Sequence, residues 1–83
     1  MTKYEFVRKN LKLSADFNSY ILENPGILYN IPESSCIVFN VKDDKEFSDK
    51  NIKIARKTKK KCLVATKEGN KWKVENFSSH KTL

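Results

Sequence analysis

The chain is poor in the residues that punctuate or staple a fold: two glycines, two prolines, two cysteines and one histidine in 83 residues. So little glycine leaves no glycine-rich loop of the kind that cradles phosphate. Cys36, Cys62 and His80 fall short of a four-ligand metal site unless carboxylates contribute, and the same count excludes a disulfide-dense secreted scaffold. No apolar run approaches the roughly 18 residues of a membrane span, and Met1 through Phe6 carry no hydrophobic signal core. A cytoplasmic, non-membrane protein is the expectation. Arginine is scarce too, with only Arg8 and Arg56, which argues against the bidentate reading of base edges.

What remains is a 9.7 kDa chain with 39% hydrophobic and 33% charged residues, a globular balance. A chain of this size buries about 60–65% of its extended surface, enough for one modest core. One domain over residues 1–83 is expected, with a core at 3–77 and a loose tail at 78–83. The formal charge of +7 is uneven. Residues 1–41 hold four bases and four acids, whereas residues 42–83 hold thirteen bases and six acids. Residues 53–61 alone contain six bases and no acid. The excess charge is a local feature.

Thr2 and Glu5 form a capping-box pattern at the start of a helix. Phe6, Val7, Leu11, Leu13, Phe17, Tyr20 and Ile21 then share one broad side, opposite Glu5, Arg8, Lys9, Lys12, Asp16, Ser19 and Glu23. Phe17 is expected at the centre of the core and Lys9 on the solvated face. Pro25 ends the helix, and Ile27, Leu28 and Ile31 make a further turn over the end of the core. Cys36 to Val41 reads as a strand covered on both sides. Asp43 and Asp44 break it and offer a cap for a second helix near 45–60, with Phe47, Ile54, Ala55 and Thr58 inward and Asn51 between them. Residues 61–66 form a second strand, and the crossover of about twenty residues favours a parallel, right-handed unit. Glu68-Gly69-Asn70 turns the chain into a third strand, antiparallel to the second. The expected fold is a small α/β domain of order α-β-α-β-β, with a three-stranded mixed sheet.

Several stretches resemble a small family of uncharacterised bacterial and archaeal domains of unknown function. They are Leu22-Glu23-Asn24-Pro25, Ile27-Leu28, Ile31-Pro32, the strand Ile37-Val38-Phe39, Asp44, Asn51 and the aliphatic strand after helix two, over residues 5–67. The resemblance implies a small α/β domain and supplies no catalytic or binding residue. Relatives tend to carry a glycine before the second strand where this chain has Lys59-Lys60-Lys61.

Chemistry has few footholds. Asp43 and Asp44 lie where ligands bind in open α/β sheets and could hold a divalent ion for an enzyme, but capping helix two is the preferred reading of them. Lys53, Arg56, Lys57 and Lys60, extended by Lys61, Lys71 and Lys73, form a stripe fit for DNA, RNA or another polyanion. The helix dipole alone also favours bases there. Cys36 and Cys62 start two neighbouring strands and read as reduced packing residues. Asn40 and Asn51 need partners if buried: each other, a loop, or a two-fold mate. With no nucleophile–base pair and no cofactor implied, the leading expectation is a non-catalytic interaction or assembly module. It is expected to be a homodimer, with Trp72 and Val74 on an exposed interface.

Overall fold

The computed structural model describes residues 1–32, 35–58 and 61–77. The expected tail with His80, and Lys59 and Lys60 of the basic run, lie outside them. The chain runs through α1 (Lys3–Glu23), a 3-10 turn (Pro25–Asn30), β1 (Cys36–Val41), α2 (Lys45–Lys57), β2 (Cys62–Glu68) and β3 (Lys71–Asn76). The strands form one sheet in the order β1-β2-β3. β1 is parallel to β2, with Cys36 beside Cys62 and Phe39 beside Ala65, and β3 returns antiparallel with Val74 beside Ala65. Gly69, at φ 61°, supplies the left-handed residue of that hairpin. This is the expected mixed α/β architecture.

The start of α1 is locked by the reciprocal capping box. Glu5 N–H donates to Thr2 Oγ1 at 3.1 Å and Thr2 N–H to Glu5 Oε1 at 2.8 Å. Those bonds with Thr2, the backbone one foremost, hold the Glu5 carboxyl below its usual range. Asp44 caps α2 by accepting from Phe47 N–H at 3.2 Å.

Alternation along the strands divides the core between two sheet faces. On the α1 side Leu13, Phe17, Phe39, Phe47, Ala65 and Trp72 pack together. On the α2 side Val38, Ile52, Ala55, Cys62 and Val64 do so. Phe17 is central, with its ring 5.1 Å from Trp72 and 5.8 Å from Phe39.

Five expectations are corrected here. Val7 and Leu11 do not reach the core but are exposed. The three strands span only about 10 Å between outer axes, so the sheet fills up under Leu13 and Phe17 before the flank of α1 is covered. Ile54 is exposed as well, and Ile52 takes the inward place, because α2 turns Ser48 and Asn51 towards β1. Leu28 faces solvent, leaving Ile31 to close the core. Trp72 is buried under α1 with Val74 packed beside it, so neither presents the exposed interface expected of them. Lys9, finally, is not a free solvated base. Its ammonium pairs with Asp44 and lies 5.0 Å from the Phe47 ring centroid, tying α1 to the cap of α2.

Candidate interaction surfaces

β1 is an edge strand, and the backbone order decides which of its groups point outward. Cys36 N–H bonds Lys61 O at 3.0 Å, so the alternate residues Ile37, Phe39 and Val41 turn their amides and carbonyls away from β2. Helix α2 covers two of these. Ser48 Oγ accepts from Val41 N–H at 2.8 Å and donates to Val41 O at 3.0 Å. Asn51 Nδ2 donates to Phe39 O at 2.9 Å and to Asn10 Oδ1 at 3.1 Å, while Asn10 Nδ2 donates back to Asn51 Oδ1 at 3.3 Å. Asn40 bonds Thr66 Oγ1 at 3.2 Å. The two asparagines therefore serve the sheet separately.

Where this cover stops, a groove of about 380 Å³ opens between the helices, with Val7 and Leu11 on one wall, Ile54 on the other and Ile37 in its floor. Among the described residues no charged one lines it. Sequence periodicity had placed Val7, Leu11 and Ile54 inside. The signal that could have found them is an apolar helical side too broad for a three-stranded sheet.

The basic residues separate into two groups. Lys53 and Lys57 point from α2 into solvent. Lys71 and Lys73 alternate with the inward Trp72 and Val74, so they stand on the α2 side of the sheet. There a cavity of about 250 Å³ is lined by Arg56 and Lys61 together with Asn76 and Phe77. Glu75 shares that side by the same alternation.

At the carboxyl ends of the parallel strands Asp43 borders a cleft of about 320 Å³ with Lys9, Lys12, Asp16 and Lys67. Its charges are largely spent within the chain, since Lys67 pairs with Asp16 at 3.1 Å and Lys9 holds Asp44. Among the described residues no group of three or more His, Cys, Asp or Glu could hold a metal ion, so Asp43 and Asp44 lack a third acidic ligand there. Cys36 and Cys62 lie in direct register and are not joined by a disulfide. Burial, followed by the hydrogen bond with Cys36, pushes the Cys62 thiol up to about 11, the reverse of an activated nucleophile.

Residues 5–66 match the family of unknown function DUF5647. The chain belongs to that family. The DUF5647 match takes in both helices and the parallel pair and ends before β3, and thus agrees with the resemblance read from the residues. No curated protein and no solved structure matches the chain. No described helix is long and apolar enough to cross a membrane.

Proposed function

We propose that this small α/β domain is a non-catalytic assembly module that works by associating with itself. The observation that carries this reading is the exposed apolar residues of α1, Val7 and Leu11, beside a groove that no charged residue lines among those described, where the clustered polar groups serve the fold itself. Ser48 and Asn51 close a sheet edge, Asp44 caps a helix, and Cys62 is a raised, buried thiol. A cytoplasmic setting accords with a chain that carries only two cysteines. Sedimentation across micromolar concentrations is expected to give the mass of two 9.7 kDa chains. A single-chain mass throughout would overturn the reading.

A second, compatible activity is favoured by the grouping of Arg56, Lys61, Lys71 and Lys73 on the α2 side of the sheet, where Phe77 offers a ring. Such a face suits the phosphates of DNA or RNA without sequence preference. Retardation of either nucleic acid at about 50 mM salt is expected, fading steeply by about 200 mM. Exchanging the four bases for glutamine should abolish it, whereas Lys53→Gln with Lys57→Gln should weaken it only in part. Absence of binding to both nucleic acids at the lower salt removes this reading.

A further inference from the structure

We infer that the surface used for self-association is α1, with a second copy of this chain laying its own α1 antiparallel across it about a two-fold axis near Leu11 and Ser14. This rests on the assembly reading above and gives it a surface and a geometry.

Tyr4, Val7, Leu11, Asn18 and Leu22 succeed one another at helical spacings, so they form one row along α1. Its apolar members are open to solvent: Tyr4 71%, Val7 47%, Leu11 67% and Leu22 82%, with Ile54 at 48% across the groove. Together they present on the order of 600 Å² of apolar side chain, the upper end of what a monomer exposes. Two such patches face to face approach the roughly 1,000 Å² that marks a specific interface.

Charge selects the occupant. The molecule carries +7, but residues 1–41 are neutral and the excess lies in residues 42–83. α1 belongs to that neutral stretch, whereas α2 beside it and the outward side chains of Lys71 and Lys73 hold much of the excess. Two copies approaching through α1 therefore meet along the less charged of their two helices. Charge also selects the direction. Lys3 and Arg8 lie in the first half of α1, whereas its last turn has no base and ends at Glu23. Antiparallel pairing sets Lys3 towards the partner's carbonyl-bearing helix end, which has no base, and parallel pairing would set Lys3 beside the partner's Lys3. In the antiparallel register Leu11 meets the partner's Ser14, a small side chain that admits it, and Val7 meets the partner's Asn18. A two-fold axis repeats each contact, as an isologous dimer requires.

Sedimentation equilibrium on the full chain and four variants tests this. Leu11→Asp should keep the native circular dichroism, since Leu11 is exposed, and weaken the dimer by about 30-fold or more, the loss of a central contact. Val7→Glu should weaken it by about tenfold. Asn18→Lys alone should weaken it less. Combining Val7→Glu with Asn18→Lys should restore near-native affinity, because the new charges face each other only in the antiparallel register. A double variant no better than Val7→Glu overturns the register. A dimer indifferent to Leu11→Asp overturns the α1 surface and leaves self-association standing. A monomeric native chain overturns both.

Discussion

Replacing Phe17 by alanine is expected to cost about 3–5 kcal/mol, the loss typical of a large buried aromatic truncated to a methyl. Phe17 is almost wholly buried, and its ring meets Trp72 and Phe39 edge-on at 5.1 and 5.8 Å. Those pairings add to the area it buries. Little can move in to fill the space. One wall is sheet backbone at Ala65, and the other is the helix that carries Phe17 itself. Against a total stability of about 5–15 kcal/mol for a small domain, the change should leave the chain close to unfolding at room temperature. Urea titration followed by the fluorescence of Trp72, the single tryptophan, checks it. The midpoint should fall steeply while the native chain and Lys12→Ala, an exposed position on the same helix, differ by no more than about 0.5 kcal/mol. Equal shifts for Phe17→Ala and Lys12→Ala would contradict the packing face of α1.

Most of this architecture was legible because it rests on local signals. Thr2 and Glu5 announce the helix start, Gly69 the hairpin, and the run at Cys36 to Val41, apolar apart from Asn40, a strand covered on both faces. The expected α-β-α-β-β order follows from these and from the length of the crossover. What escaped was how little of a helix's apolar side the expected three strands can cover. Periodicity assigns Val7, Leu11 and Leu13 to one helical side alike, but only a count of the strands beneath it decides how much of that side is covered. The same limit misplaced Trp72. An alternating strand shows that Trp72 and Val74 share a face, and only the position of α1 shows that this face is inside. Lys9 was misread for a related reason. Its partner Asp44 is thirty-five residues away, beyond any helical spacing. The candidate surface lies among these failures. It is made of residues whose pattern marks them as core and which the small sheet leaves uncovered.

Replacing Asn51 is expected to have the second large effect, and for an electrostatic reason. Its side chain is buried, yet it is fully occupied, donating to the Phe39 carbonyl and exchanging two bonds with Asn10. Asn51→Leu keeps the approximate volume but leaves the Phe39 carbonyl and Asn10 Oδ1 without their donor, while Asn10 Nδ2 keeps its bond to the Phe6 carbonyl. Each of the two orphaned groups costs about 1–3 kcal/mol, so a loss of roughly 2–6 kcal/mol is expected by urea titration. Asn10→Ala removes one half of the reciprocal pair, so the double variant should lose less than the two single losses together. Strict additivity would mean that the pair is not coupled. Asn51→Asp adds a pH signature. Burial beside a carbonyl disfavours the charged carboxylate, so the introduced carboxyl has a higher pKa folded than unfolded. The folded state then holds the extra proton, and stability should rise as the pH falls from neutrality towards the ordinary carboxyl range of about 4. Asn51→Leu has no such titration and should show no such recovery. The consequence reaches the assembly surface. Ser48 and Asn51 occupy the outward backbone groups of β1 that would otherwise offer a second chain a strand to extend. With Asn51 intact, the exposed row of α1 is the better contact for a second copy. Once it is lost, the bared edge at Phe39 should compete, and concentration-dependent aggregation of Asn51→Leu, absent from the native chain, is the expected sign.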